Sequence, residues 1–529
     1  MDMPLRLGKI LNPTVTDFEK ALRSDVFVDK TDLISLTNKA GFTSEQYICI
    51  SRPRRFGKSV AAHMLVNYYS LLQDNRKLFE GLNISKDPSF ETNLNKYNVI
   101  FFDVQAILGE KHSVKSLIRH IKSKVRSEVI SEHPNVKFSN KGSLIQILSD
   151  VVNETRKPFI FIIDEWDCLF REFKNDFAGQ KLYLDFLKTL LKGQPYVHLA
   201  YMTGILPIKK YGTHSALNMF DEYSMADPAK FSDFTGFTES EAKSLCDRFG
   251  LDFELVKEWY DGYVFGESHI YSPLSVKRAM QRKACSNYWN ETETFEALKS
   301  PINLNFEGLK DRILSLLPQG RVKINTAKFQ NDMTSFQSAD DVMTLLVHLG
   351  YLAYDKDASE VWIPNNEIRQ EFRNAVESAK WDGISKLLMA SDKLLNETWS
   401  LHGDEVAKAI QAAHNELTSI LKYNDENSLC CVVTNAYYSS FNYYLLFREL
   451  ASGKGYIDLL YLPKPSHFDK PCMLIELKWD KSATGAISQI KNKDYPQKVL
   501  GYTDNLILVG INYDKKTKEH TCDIEKYQA

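Results

Sequence analysis

Two separate sets of residues in this 529-residue chain have the types and spacing that phosphate and metal chemistry require. The first is ICISRPRRFGKSV (48–60), where an apolar run gives way to a loop and then to a helix-like pattern. Free backbone N–H groups and the positive end of a helix dipole converge at such a junction and hold an anion. Gly57-Lys58-Ser59 ends a GxxxxGK pattern completed by Ser. In that role Lys58 reaches the β- and γ-phosphates of ATP and the Ser59 hydroxyl ligates Mg²⁺. Arg52 stands where the pattern has its first glycine, so the motif is degenerate and a solvated basic turn is the alternative. Arg52, Arg54 and Arg55 crowd the loop around Phe56, and like charges repel there unless an anion joins them. Further on, FIFIIDEWD (159–167) ends an apolar strand in Asp164-Glu165. Asp164 would hold Mg²⁺ through water, and Glu165 would polarise the attacking water. Thr203, closing HLAYMTG (198–204), either senses the γ-phosphate or caps a simple turn, and Lys209 and Lys210 follow close by.

The second set lies near the other end. Asp458 falls in YIDLLYL (456–462), and Glu476 and Lys478 fall in CMLIELK (472–478). On a strand, residues i and i+2 face one side, so Glu476 and Lys478 point together and an adjacent strand can bring Asp458 beside them. Two carboxylates make a hard oxygen site for Mg²⁺ or Mn²⁺, which the Leu477 carbonyl could complete. A lysine beside such an ion can position or deprotonate a water for attack on a phosphodiester. Gln489, on the helix that follows, can bind substrate or orient the lysine. Lys478, Lys481, Lys491 and Lys493 offer phosphate neutralisation without base readout. The alternative is a strand whose solvent face carries a Glu/Lys pair. The apolar residues around the pair favour a buried strand instead.

The elements that must position these groups read as α/β. Near-continuous apolar strands at 46–51, 99–104, 159–164 and 198–204 alternate with helix-like stretches such as 59–72 and 113–129, predicting a parallel sheet covered on both faces up to about residue 220. From 221 to 375 short helices and turn-rich pieces follow. There DVMTLLVHLGYLAYD (341–355) and VWIPN (361–365) suggest a helix and hairpin of winged-helix type. From 376 to 529 a second, smaller α/β unit is expected. The aromatic run TNAYYSSFNYYLLF (434–447) reads as tyrosines packing at helical spacing, and WYDGYVFG (259–266) as a tight structural turn. Lys+Arg 66 against Asp+Glu 68 excludes a uniformly basic nucleic-acid coat. No run of about 18 apolar residues is present to span a bilayer, and the N-terminus lacks a signal-peptide core. The eight cysteines show no CxxC, as reduced core thiols do, so a cytoplasmic location is expected.

With these residues in hand, the chain resembles a family of bacterial proteins with an AAA-ATPase-like, P-loop NTPase-type N-terminal half and a C-terminal PD-(D/E)XK nuclease-superfamily domain. The resembling blocks include FVDKTDLI (27–34), SRPRRFGKS (51–59), IIDEWD (162–167) and MTG (202–204). They continue through FTGFTESEA (234–242), WYDGYVFG, IYSPLSV (270–276) and IPNNEI (363–368). FRELASGKGYIDLLYL (447–462), LIELK (474–478) and the run from Gln489 to Tyr495 complete them. The resemblance implies Lys58, Ser59 and Asp164 for nucleotide and Mg²⁺. For the nuclease centre it implies Asp458, Glu476 and Lys478, with Gln489 accessory and Glu449 a further acidic residue. The Arg-rich loop is itself the family's form. Trp166 and Cys168 depart from the family's usual residues.

The sequence thus leads to the expectation of an ATP-binding, ATP-hydrolysing protein coupled to a metal-dependent nuclease, cutting DNA more readily than RNA. The middle region would relay the nucleotide state or mediate self-association. The competing reading is a nucleotide-regulated switch or scaffold whose nuclease-like domain binds without cutting.

Overall fold

A computed structural model of the chain describes residues 6–527 except 73, 112, 212–213, 292–295, 305, 332, 335, 379–381, 418–425, 453–454, 494, 497–498, 500–502 and 504. Gly453, Lys454 and Asp494 of the resembling blocks lie outside the described residues. The chain forms two compact units. One holds 1–292 and 323–368, the other 293–322 and 369–529. The expected middle stretch, 221–375, is therefore shared between them. Its insertion at 293–322 joins the second unit because Leu309, Ile313, Leu314 and Leu316 are buried, and the Leu314 carbonyl accepts from Asn435 Nδ2 at 3.2 Å.

The first unit is built on five parallel strands. They are β1 (Tyr47–Ser51), β2 (Asn98–Asp103), β3 (Phe159–Asp164), β4 (Val197–Gly204) and β5 (Asp221–Tyr223), in the order β2-β3-β4-β1-β5. Four of these were legible as apolar runs; β5, only three residues of Asp-Glu-Tyr, was not. All six residues of β3 are buried. Phe159, Phe161 and Ile163 pack into one core, Ile160 and Ile162 into another, as two covered faces demand. The order places β4 between β1 and β3. Thr203 thereby sits beside Ile50 on one flank, one residue past the Ile163↔Met202 pair on the other. Helix α1 (Lys58–Tyr69) leaves the loop after β1. The predicted helix-and-hairpin is present, with a helix over Ala339–His348 and an antiparallel pair of Ala353–Asp355 with Glu360–Trp362.

The second unit carries β6 (Tyr444–Ser452), β7 (Gly455–Pro463), β8 (Cys472–Trp479), helix α2 (Ala483–Asn492), β9 (Leu506–Asp514) and β10 (Glu519–Lys526). Their spatial order equals their chain order. Only β8 and β9 are parallel, and α2 is the crossover that such a pair requires. The run at 434–447 differs from its expected helical packing. The helix there ends at Ala436, a short 3-10 turn spans Tyr438–Asn442, and β6 starts at Tyr444. Tyr444, Leu446 and Arg448 alternate with Leu445, Phe447 and Glu449 along this strand, a period of two that the density of tyrosines concealed.

The WYDGYVFG turn is fixed by its glycine. Gly262 has φ +114°, and an added Cβ would lie 2.1 Å from the Pro364 carbonyl oxygen. The Asp261 carbonyl accepts from Asn365 Nδ2 at 2.9 Å, so two of the resembling blocks meet here. Gly262→Ala is expected to destabilise the fold by roughly 2–5 kcal/mol, from left-handed strain plus overlap with main chain, read as a lowered melting midpoint.

Candidate functional site

The loop between β1 and α1 turns on Gly57, whose φ of +85° suits a residue without Cβ. The turn directs the Lys58 ammonium back under the loop. It donates to the carbonyls of Arg52 at 3.0 Å and Pro53 at 2.8 Å and is buried. Burial lowers its pKa, against the opposing pull of Glu165, Asp164 and Asp167. Not every residue of the loop faces the same way. Arg52, expected to meet the nucleotide, is fully buried. Its Nη1 donates to the carbonyls of Ser51 and Tyr223, both at 2.9 Å, and its guanidinium lies 5.0 Å from the Phe265 ring centroid. Burial brings its pKa down to about 9. It fastens the sheet edge at β5, because a buried guanidinium without a carboxylate must spend its donors on carbonyls. Phe56 is likewise turned inward, edge-to-face on Tyr263 at 5.5 Å. Lys209 is buried too, donating to Gln180 Oε1 at 3.1 Å. Arg54, half-buried, and Arg55, exposed, remain at the surface of the loop.

At the strand ends, the Thr203 hydroxyl donates to the Asp164 carboxylate. Both side chains are buried. Glu165 holds a left-handed φ of +51° and accepts from Arg171 Nη2 at 2.5 Å. Burial raises its pKa while Lys58 opposes the rise. Asp167 is fully buried, taking the backbone N–H of Ile205 at 3.1 Å and of Leu206 at 2.9 Å, plus Arg171 Nε at 3.3 Å. Arg171 and Asp167 are contributors that motif reading missed; their i,i+4 spacing just after the acidic pair was the available signal.

A cavity of about 530 Å³ opens over this loop, within the range of small-ligand sites. Arg54, Arg55, Phe56, Gly57, Lys58, Ser59 and Glu165 are among the residues that line it. Lys30 and Lys277 also reach it, and Phe27, Val28, Phe237 and Leu274 add apolar lining. The last four come from the blocks at 27–34, 234–242 and 270–276, to which no chemical motif had given a role. Asp164 and Thr203 do not line the cavity.

In the second unit the register Leu459↔Ile475 brings Asp458 and Glu476 to neighbouring strands. Asp458 Oδ2 accepts from the Leu477 N–H at 2.7 Å. Glu476 is 1% exposed, and its Oε1 takes both Lys478 Nζ, at 2.8 Å, and Gln489 Nε2 from α2. Lys478 Nζ also reaches the Leu477 carbonyl at 3.0 Å. Glu476 Oε2, buried, has no hydrogen-bond partner. Burial, with the Asp458 charge second, pushes the Glu476 carboxyl up to about 7. An unbonded carboxylate oxygen beside a second carboxylate is the donor set that a hard divalent cation fits. The structure thus brings Asp458, Glu476, Leu477, Lys478 and Gln489 together. Glu449 is exposed, with φ +47°; the pairs Arg448↔Leu459 and Leu450↔Ile457 bracket it across from Asp458.

Residues 13–213 match the family model described as predicted AAA-ATPase, and residues 424–521 that of the PD-(D/E)XK nuclease superfamily. The chain therefore carries an AAA-ATPase-like domain and a PD-(D/E)XK nuclease-superfamily domain. A curated protein of Azotobacter chroococcum, described as an uncharacterized protein in the vnfD 5′ region, is 23% identical over 279 residues, 51% of either chain. The chain spans about half the length of that relative. A Walker-type ATPase of Pyrococcus abyssi aligns over 68% of this chain and 96% of its own at 14% identity, with TM-score 0.33. The ORC2 protein of Aeropyrum pernix, in ADPNP–ADP complexes, aligns over 68% and 98% at 10% identity, with TM-score 0.29. No described helix is long and apolar enough to cross a membrane.

Two outcomes follow from this geometry. Arg52→Ala leaves two carbonyls without donors and is expected to cost roughly 2–5 kcal/mol of stability, whereas Arg55→Ala leaves the melting midpoint unchanged. Glu476 keeps a proton in the folded state, up to about pH 7, that the unfolded chain has lost above its ordinary 4.5. Its contribution to stability therefore falls as pH rises through that window. Denaturant titrations in chelator are expected to show wild type losing on the order of 3 kcal/mol relative to Glu476→Gln between about pH 5 and pH 8.

Proposed function

We propose that the protein binds and hydrolyses ATP at the 52–59 loop and cuts phosphodiester bonds at the Asp458–Glu476–Lys478 centre. The N-terminal cavity supports the first activity. Lys58 and Ser59, with Arg54 and Arg55 beside them, present cations and a hydroxyl to phosphate. Asp164, held by Thr203, would hold Mg²⁺ with Ser59. Glu165 would orient the attacking water once it parts from Arg171. The apolar lining residues Phe27, Val28, Phe237 and Leu274 would receive the base.

One observation carries the nuclease reading: a single buried carboxylate, Glu476, gathers Lys478 and Gln489 on one oxygen, keeps the other unbonded, and stands beside Asp458. Asp458, Glu476 and the Leu477 carbonyl would hold Mg²⁺ or Mn²⁺. The ion, when bound, supplies a water of lowered pKa and neutralises charge on the phosphodiester. Lys478, as an ammonium, would position the attacking water and donate to the charge that develops in the transition state. Gln489 keeps Glu476 in place from α2. DNA is the expected substrate more than RNA, in the cytoplasm, with the 221–375 region relaying the nucleotide state or mediating self-association. Binding without cutting is the second reading, and the bonds already filling Glu476 Oε1 favour it.

Incubation of wild type, Lys58→Ala and Lys478→Ala with DNA and RNA, Mn²⁺ or Mg²⁺, with and without ATP, tests both activities. Lys478→Ala is expected to slow cleavage by roughly 100-fold or more while leaving ATP hydrolysis intact. Lys58→Ala is expected to abolish ATP hydrolysis. Intact nucleic acid under every condition, with oligonucleotide still bound, would establish the second reading instead.

A further inference from the structure

The WYDGYVFG turn, which neither proposed activity uses, takes part in another cluster of the first unit. Thr238 pairs with Ile270, which sets Glu239, the first residue of the helix Glu239–Phe249, near His269 on the strand Ser268–Tyr271. Asp261 comes from the turn, and His269 Nδ1 lies 3.2 and 3.0 Å from its two oxygens. One oxygen of each carboxylate and one ring nitrogen all lie within 4.8 Å of one another. The turn holds Asp261 firmly. Its N–H donates to the Lys257 carbonyl at 3.0 Å, its carbonyl accepts from Asn365, and the Pro364 carbonyl closes on Gly262. Glu239 and His269 also line a cavity of about 510 Å³ whose other acids include Asp29, Asp32, Asp233 and Glu267, against Lys30.

The charges there do not cancel. Besides His269, Glu239 and Asp261 feel one ammonium, Lys257, which bonds Glu239 at 3.0 Å. With the imidazole neutral, two carboxylates face a single positive charge. Tyr271 is an independent sign of a ligand. It stands two positions from His269 along the strand, on the same face, and is fully buried. Its hydroxyl has no hydrogen-bond partner and lies in the field of Asp261 and Glu239. We propose that Glu239, Asp261 and His269 hold a divalent transition-metal ion, Zn²⁺ in preference to Mg²⁺, with the Tyr271 hydroxyl donating to a ligating carboxylate. One imidazole and two carboxylates make a mixed nitrogen–oxygen set that suits Zn²⁺, whereas Mg²⁺ takes oxygen ligands. Ligand atoms around Zn²⁺ stand roughly 3–3.5 Å apart, so closure asks only that the half-exposed Glu239 and His269 side chains rotate. Three protein ligands leave a fourth position for water. The ion would clasp the helix, the turn and the strand to one another, independently of nucleotide and of the nuclease centre.

The test is calorimetric titration of Zn²⁺ into the tag-free full chain carrying Asp458→Asn and Glu476→Gln, without nucleotide. Excess Mg²⁺ is present so that oxygen-only sites stay silent. One equivalent of Zn²⁺ is expected to bind and to raise the melting midpoint. Tyr271→Phe, which keeps the ring and the fold, is expected to weaken that binding by roughly 10-fold, the lower end for an outer-shell donor, and His269→Ala by roughly 100-fold or more. Lys257→Gln, which removes the competing ammonium, should bind Zn²⁺ at least as tightly as its parent. Absence of a bound equivalent overturns the proposal, as does one that persists unweakened in both His269→Ala and Tyr271→Phe. The cluster is then an ion-paired clamp, and Lys257→Gln lowers the melting midpoint equally with and without Zn²⁺. Either result leaves the two proposed activities standing.

Discussion

Taking a lysine ammonium and carboxylates out of water together is the constraint around which both sites are organised. An isolated charge in either place would be costly, so each lysine is compensated twice. Lys58 rests on the carbonyls of Arg52 and Pro53 and lies in the field of Glu165 and Asp164. Lys478 rests on the Leu477 carbonyl and bonds Glu476. In both cases main-chain oxygens hold the cation, which leaves the acidic groups with capacity to spare. Two unrelated sheets reach one solution because both end a strand where carbonyls and acids crowd together.

The same constraint explains which neighbours are structural. Asp167 must be buried to tie the 164–167 turn to the N–H groups of Ile205 and Leu206, and Arg171 accompanies it as the balancing charge. Arg52 compensates its charge with carbonyls and an aromatic face and so closes the sheet at β5. These side chains hold the loop ends in register so that Lys58, Ser59 and Glu165 line the same cavity.

Much of this was legible in residue order. The strands bearing Asp164, Asp458 and Glu476 are apolar enough to announce themselves, and their i, i+2 pattern located the Glu476–Lys478 pair. The direction of side chains in the arginine loop was not legible. Arg52, Arg54 and Arg55 are the same residue type within four positions, and only the presence of Tyr223 and Phe265, distant in sequence, turns the first of them inward. Thr203 was ambiguous for a similar reason: its partner is set by the placement of β4 beside β3, a long-range fact. Strand β6 was hidden because tyrosine serves helices and strands alike. The apolar lining of the cavity came from segments whose only common property is where the fold brings them.

The insertion at 293–322 has a practical meaning for anyone dividing the molecule. The polypeptide passes from one unit to the other at three places, near 292, 322 and 368, rather than along a single linker. A gene fragment beginning at 376 would keep every acidic group of the C-terminal centre yet lose the Leu314 carbonyl that Asn435 bonds, and with it the leucine-lined surface of that segment. Inactivity of such a fragment would report a missing piece of its interior, not a missing catalyst.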